Sequence, residues 1–295
     1  MCIRDSISTR GRGDANLGKN PPEGIIIDYF VPADWPDSLA LTLDIMDDAG
    51  DIIRTYSSKP EKASKPYPGG PPKVKTLSTK KGVNRFSWDM RRAGVEGING
   101  IFLFGGYNGA MVPPGTYQLR LTSGDYTEKV NADLLADPRV EIPTSEYQTQ
   151  YEYLTSTERM AKDLQASAAN MNKMKNRIST LSGMFEENQS AVDLMKSGEA
   201  ISKAISTWER TIVQPDQKTF QDVINFPNKL SSELLNLMGR MGGMIPTVTD
   251  GMKQRLADLT SEYNIAKKEH DRIASMFDKY NEMFLNSGLN ILEID

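Results

Sequence analysis

Glycine and proline are distributed very unevenly along the chain, and this limits the folds open to it. Up to Ile142 the sequence holds 16 Gly and 12 Pro, whereas from Pro143 onward it holds 7 Gly and 4 Pro. Methionine shows the opposite trend, with 4 before that point and 11 after it. Since Gly and Pro mark turns and interrupt helices, the pattern predicts an all-β domain joined to an all-α domain, with the boundary at residues 137–144.

The first half contains seven short runs of β-prone residues separated by turn residues. Polar and apolar residues alternate over residues 116–122, which indicates a strand with one buried face. Residues 58–82 are rich in Pro, Lys, Ser and Gly and predict a long loop. Seven short strands are typical of a β-sandwich. The predicted strands are residues 24–31, 39–46, 52–57, 83–90, 101–105, 116–122 and 126–134.

The second half has a helical period instead. Apolar residues recur at steps of three, four and seven over residues 154–185, and at steps of three and four over residues 248–284. Each segment predicts a helix of roughly 40 residues, about 60 Å long, and we expect the two to lie antiparallel. Residues 194–212 and 230–241 have shorter apolar faces. Together these patterns predict an antiparallel α-helical bundle.

Two threonines that follow prolines are expected to cap the long helices. Thr144 comes after Pro143, and Thr247 after Pro246. A Thr hydroxyl at this position accepts a hydrogen bond from a free N–H of the first turn. Asp250, three residues after Thr247, adds the acid of a capping box.

Composition excludes several functional classes. The chain has 295 residues, with 35 Lys+Arg against 39 Asp+Glu, and therefore no broad basic surface for nucleic acid. No apolar run is long enough for a membrane span. A single cysteine, Cys2, and a single histidine, His270, argue against Cys-based or His-based metal sites and a Ser/His/Asp triad. We expect no metal and no cofactor, and we expect His270 to lie in a helix seam, bonded to a neighbouring acid.

An acidic cluster and a glycine-rich segment resemble known motifs without matching them. Asp44, Asp47, Asp48 and Asp51 lack the spacing of a calcium loop, so a hairpin turn with solvated acids is favoured. Residues 105–109 lack the order of a phosphate-binding loop and are expected to be an ordinary loop. Neither motif predicts a catalytic site.

Aromatic residues in the first half give the one specific ligand-binding hypothesis. Trp35, Trp88 and Tyr107 could form a surface on which sugar rings stack, with Arg91 and Arg92 as polar partners. The competing interpretation places Trp88 in the core, because it lies in the predicted strand at residues 83–90. No pair of carboxylates stands out by spacing as a glycosidase site, so no catalytic residue is assigned.

The chain also resembles a known family. The matching segments are residues 18–24 (GKNPPEG) with the strand that follows, 82–91 (GVNRFSWDMR), 112–117 (VPPGTY), 137–140 (DPRV) and 226–230 (FPNKL). In their order and spacing they resemble the C-terminal region of secreted bacterial sortilin-like or glycosyl-hydrolase-like proteins with BNR propeller repeats. The loop at residues 58–81 departs from the family, in which its length varies.

That resemblance implies a modular protein. Family members have a signal peptide and one or two β-propellers, then an immunoglobulin-like sandwich similar to that of the flagellar hook-capping protein, then a helical tail. It implies a sandwich at residues 18–140, a bundle at 141–295, an upstream propeller as partner and a periplasmic or extracellular location. The first six residues, MCIRDS, look like translated sequencing adapter, so residues 1–17 are expected to be artefact or linker.

We therefore expect a non-catalytic accessory region that packs against a propeller and takes part in protein or glycan binding. One alternative is a free-standing carbohydrate-binding or adhesion module. Another is a glycoside hydrolase, for which the sequence supplies no catalytic pair.

Overall fold

The computed structural model describes residues 24–59, 67–185, 188 and 191–289. The predictions made for MCIRDS and Cys2, for the linker at residues 1–17 and for most of the GKNPPEG motif lie outside these residues. The described chain is an α+β structure with two antiparallel sheets and four α-helices.

All the strands precede the helices, as the distribution of Gly and Pro predicts. A short 3₁₀ turn at Gln221–Ile224 lies between the second and third helices. The elements, in chain order, are β1 Ile25–Val31, β2 Thr42–Met46, β3 Ile52–Ser57, β4 Gly82–Trp88, β5 Gly115–Ser123, β6 Tyr126–Leu134, α1 Thr144–Met184, α2 Val192–Ile212, α3 Leu230–Met241 and α4 Asp250–Asn286.

The two sheets share one hydrophobic core. One sheet pairs β1 with β4, and the other has the order β3-β2-β5-β6. Aromatic rings connect them: Tyr56 of β3 lies 4.6 Å from Phe86 of β4, and Trp88 of β4 lies 5.5 Å from Tyr117 of β5, between ring centroids. Apolar residues of β1 to β5 are therefore buried between the sheets.

Six of the seven predicted strands are present, and the strand predicted at residues 101–105 is wrong. Within this segment, the backbone of Phe104 is satisfied by side chains of α3. The N–H of Phe104 donates to Oγ of Ser232 over 3.1 Å, and Nδ2 of Asn236 donates to the carbonyl of Phe104 over 3.0 Å. A segment whose backbone groups are bonded in this way needs no neighbouring strand.

The hairpin predicted between β2 and β3 is confirmed, but one of its acids is not solvated. The N–H of Asp51 donates to Oδ1 of Asp47, which closes the turn. Asp44 is only 7% exposed, and its carboxylate accepts from Thr55 over 2.7 Å and from Arg120 over 2.8 Å. A buried carboxylate requires such partners, so Asp44 belongs to a cross-strand network and not to a solvated turn.

Both long helices are confirmed, with 41 residues in α1 and 37 in α4, but they lie parallel and not antiparallel. Oη of Tyr263 donates to Oδ2 of Asp163, and further along both helices Phe185 meets Phe284. The chain returns through α2, which runs antiparallel to α1: Lys175 contacts Ser206, and further along α1, Ile178 lies next to Gly198. Since the intervening helices carry the chain back, α4 begins at the same end as α1.

The helix caps differ from those expected. Pro143 and not Thr144 is the N-cap of α1, and no side chain caps it. The N-cap of α4 is Thr249, whose Oγ1 accepts from the N–H of Met252, so the prediction of Thr247 is wrong by two residues. Asp250 lies in the first turn of α4, where its charge interacts favourably with the helix dipole.

His270 lies in the buried seam of α4, as predicted. It is 7% exposed, and Nδ1 lies 2.9 Å from Oδ1 of Asp271. Its ring packs 5.8 Å from that of Trp208, whose Nε1 donates to the carbonyl of Ala266 over 2.8 Å. The ring therefore contributes to packing between α2 and α4.

A second hydrophobic core lies among the helices, and part of it comes from the loop between β4 and β5. Five buried residues of this loop pack with apolar residues of all four helices. The turn-rich half of the chain thus supplies part of the helical core. These five residues are Val95, Ile98, Leu103, Tyr107 and Ala110.

Candidate functional site

The last residue of β4 and the segment that follows it, residues 88–92, connect the sheets to the helices. Trp88 is fully buried, and its Nε1 donates to the carbonyl of Arg91 over 3.0 Å. Met90 has a φ of 57°, the only positive φ of a described residue other than glycine. This left-handed conformation ends β4 at Trp88, before the predicted end at residue 90, because it turns the chain out of the sheet.

Arg91 links the loop to the end of α3. Its Nη1 donates to the carbonyl of Gly109, and its Nη2 to the carbonyl of Gly242, each over 3.3 Å. Burial lowers the pKa of Arg91, while the nearby charge of Asp89 acts in the opposite direction. Its guanidinium is therefore committed to carbonyl groups of the protein itself.

Arg92 links the same segment to α1. Its Nε donates to Oε2 of Glu158 over 3.1 Å, and its Nη1 to Oη of Tyr151 over 2.9 Å. Lys162 completes the cluster, with Nζ donating to Oε1 of Glu158 over 3.0 Å and to the carbonyl of Ala93 over 3.1 Å. Burial would lower the pKa of Arg92, but Tyr151 and Glu158 together raise it. We call Arg92, Tyr151, Glu158 and Lys162 the junction cluster.

The sheet side of this junction is also polar. The guanidinium of Arg54 lies 4.9 Å above the ring of Tyr56, and its Nη1 donates to the carbonyl of Arg92. Burial raises the pKa of Tyr56 to about 12, and a hydrogen bond to Asp89 acts in the same direction. The junction thus contains a buried phenol on one side and the buried carboxylate of Glu158 on the other.

An open groove of about 790 Å³ lies beside the junction cluster. It is lined by Arg92, Glu158 and Lys162, together with neighbouring polar residues of α1. A second depression, of about 520 Å³, lies at the start of α3 and is lined by charged residues that include Arg210 and Arg255. Acidic and basic residues line both the groove and the depression, so neither surface favours anionic ligands or cationic ligands alone.

The three aromatic residues and Arg91, predicted to contribute to a ligand site, lie in different surroundings. Trp88 is fully buried and Tyr107 is 8% exposed, with Oη donating to the carbonyl of Gly69 over 2.7 Å. Stacking with a sugar needs an open ring face, which these two rings do not offer. Arg91 is adjacent to Trp88 in the junction. Trp35 is half-buried, with Nε1 donating to Oγ of Ser123 over 2.9 Å and Nζ of Lys81 located 5.3 Å from the ring centroid.

Arg91 and Arg92 were expected from the sequence to be polar partners of a ligand, but the partners of Arg92 on α1, Glu158 and Tyr151, were not predicted. Glu158 is 3% exposed, although a glutamate in a long amphipathic helix is usually solvated. The sequence feature that could have identified Glu158 as buried is its helical position, because it falls on the same apolar stripe as Leu154 and Ala161. A charge within an apolar stripe indicates a buried partner.

This arrangement is suited to holding two parts of a protein together. Among the described residues, no group of three or more His, Cys, Asp or Glu side chains is placed to hold a metal ion. None of the helices in the described ranges is long and apolar enough to cross a membrane. Comparison with known protein families, with curated proteins and with solved structures finds no match to this chain.

Proposed function

We propose that the chain is a non-catalytic C-terminal accessory region of an exported, propeller-containing protein of the sortilin-like or glycosyl-hydrolase-like kind. Its role is to pack against the upstream propeller and to hold it in position, in the periplasm or outside the cell. The observation that carries this proposal is the junction itself. The charged groups of Arg91, Arg92 and Glu158 contact other groups of the chain and hold the sheets to the helices.

The finer architecture is part of the proposal. We infer that the two sheets form an immunoglobulin-like sandwich, similar to that of the flagellar hook-capping protein, and that the four helices form a bundle. The core shared by the sheets supports the first inference. The contacts of α2 with both α1 and α4 support the second. A sandwich fixed to a bundle would give a rigid support for a neighbouring domain.

The test begins with the upstream reading frame. The extended protein is expressed with and without residues 24–289, and thermal unfolding of the upstream part is followed in both. We expect propeller repeats upstream and a lower unfolding temperature when the accessory region is missing. Equal unfolding temperatures, or an upstream sequence without such repeats, would overturn the proposal. Hydrolysis of aryl glycosides by the purified 295-residue chain would overturn the non-catalytic assignment.

Glycan binding is a second candidate, and it rests on the end of the sheets near Trp35. Ser123 bonds the indole of Trp35 and is paired with Tyr126, a residue that is 60% exposed. Two aromatic rings near each other at a surface are suited to sugar stacking. Binding on a glycan array that is lost in both Trp35→Ala and Tyr126→Ala would support this candidate. Binding that survives both substitutions would exclude this surface.

A further inference from the structure

The outer strand of the four-stranded sheet, β6, has features of a strand that pairs with a further strand. It makes nine consecutive pairs with β5, without a register shift and without proline. Natural sheets protect an edge by a short strand, a bulge, a proline or charged side chains, and of these devices β6 has only the charges. The opposite edge follows this rule, because the β2–β3 register shifts between Ile45 and Met46. In the described part of the chain, β6 pairs only with β5.

The exposure of β6 is also unusual for a strand next to a core. Val130 is paired with the buried Leu119, and Tyr126 with the buried Ser123, so both face the side on which the core lies. Nevertheless each is 60% exposed. The inner face of β6 thus extends beyond the part that the two-stranded sheet covers.

On the outer face of β6, Lys129 and Asp133 have no oppositely charged partner among the described residues. Lys129 is paired with Arg120, a like charge, which is itself held by Asp44. Asp133 accepts a hydrogen bond from Thr116 over 2.7 Å. No ion pair in the described ranges involves Lys129 or Asp133. Like charges directly opposite each other on neighbouring strands are destabilising, so Lys129 would gain from an acidic partner.

We propose that β6 pairs with β6 of a second copy, antiparallel and with Asn131 on the two-fold axis, so that the four-stranded sheet continues into that of the second copy. This register places Lys129 opposite Asp133 of the second copy, and by symmetry Asp133 opposite Lys129. Asn131 faces Asn131, and Val130 faces Ala132. Each symmetric interface therefore contains two new ion pairs between strands.

Charge selects this register among the neighbouring ones. A two-fold axis at Val130 would pair Lys129 with Asn131, and an axis at Lys129 would place two lysines opposite each other. An axis at Asp133 would oppose two aspartates. Of the symmetric registers centred within residues 129–133, the one at Asn131 alone matches both charges.

The first test measures self-association of the full 295-residue chain by sedimentation velocity over a range of concentrations. We expect a reversible dimer. Lys129→Asp and Asp133→Lys should each raise the dissociation constant at least about tenfold, because each creates two like-charge pairs. A mixture of the two variants should form a heterodimer, since both pairs are then attractive again. Lys268→Asp, the same change on the exposed face of α4, serves as the control.

The second test identifies the register by disulfide trapping in a Cys2→Ser background. Asn131→Cys should form an intermolecular disulfide under mild oxidation, because opposite residues on paired strands lie within disulfide range. Lys129→Cys should not, since its two copies would be four positions apart, about 13 Å along the strands.

Three results would overturn the proposal. The first is a monomer at every concentration, and the second is a dimer whose dissociation constant is unchanged by both charge substitutions. The third is a disulfide that forms as readily through Lys129→Cys as through Asn131→Cys. A dimer insensitive to these changes would use another surface. Circular dichroism shows whether each variant is folded. Formation of the heterodimer would also show that both variants are folded, because each must present an intact β6 to the other.

Discussion

Nε of Arg92 donates a hydrogen bond to Oε2 of Glu158 over 3.1 Å, between residues 66 positions apart in the sequence. The carboxylate is buried, whereas Arg92 and Lys162 keep 29% and 39% of their side chains exposed. The pair therefore joins the loop after β4 to α1 at the rim of the hydrophobic core.

Removing the cation from this pair should destabilise the fold. Arg92→Ala leaves the buried Glu158 with Lys162 alone, so we expect a loss of about 2–3 kcal/mol in the free energy of unfolding, measured with urea. Arg139→Ala is the matched control, because Arg139 is exposed and pairs with Asp137 at the surface. Equal stabilities of the two variants would contradict the assigned role of the junction cluster.

A glycine in the loop between β4 and β5 allows two backbone segments to approach each other. A Cβ at Gly109 would lie 2.3 Å from the carbonyl oxygen of Arg92 and 2.6 Å from that of Ala93. Gly109→Ala should therefore cost about 2–3 kcal/mol of stability. Gly106→Ala, three residues earlier, meets no atom within 4 Å and should change stability by less than about 0.5 kcal/mol. Similar values for both variants would show that the loop can shift.

The left-handed conformation of Met90 should make a glycine variant more stable than an alanine variant, the reverse of the usual order. With φ at 57°, a residue that has a Cβ is strained, whereas glycine is not. We expect Met90→Gly to be more stable than Met90→Ala by about 1 kcal/mol in chemical denaturation. At Thr127, an exposed position of β6, alanine should be the more stable of the two. The same order at both positions would refute backbone strain at Met90.

Alkaline pH should destabilise the protein through Tyr56. Burial raises the pKa of its phenol from the ordinary 10.0 to about 12 in the folded state. The unfolded chain therefore ionises first, so the contribution of Tyr56 is complete below pH 10 and is lost as the pH rises toward 12. Urea midpoints measured at about pH 9 and about pH 11 should fall less in Tyr56→Phe than in the original chain. An unchanged pH dependence would contradict this assignment.

Regular periodicity allowed the helices to be predicted well. Apolar stripes sustained over roughly ten turns located both long helices, and shorter stripes located the other two, because several positions contribute to each signal. Periodicity could not predict the direction of α4 relative to α1. It depends on how α2 and α3 return the chain, and the contact of Asp163 with Tyr263 joins residues 100 positions apart.

Local sequence was less informative wherever distant groups take part. Residues 101–105 have the composition of a strand, yet Ser232 and Asn236 satisfy the backbone of Phe104. At the candidate site, Arg91 could be identified as a residue of interest from its position. Its partners could not, because they are carbonyl groups of Gly109 and Gly242, and a carbonyl group leaves no trace in the sequence.

The loop between β4 and β5 has a consequence for the order of events during synthesis. The strands leave the ribosome first, but Asn236, which bonds the carbonyl of Phe104, follows 132 residues later. At roughly 5–20 residues per second this is a delay on the order of ten seconds. During that interval α3 is incomplete, so Leu103 and Tyr107 lack part of their final core and the newly made chain carries an incompletely covered apolar segment that a chaperone could recognise.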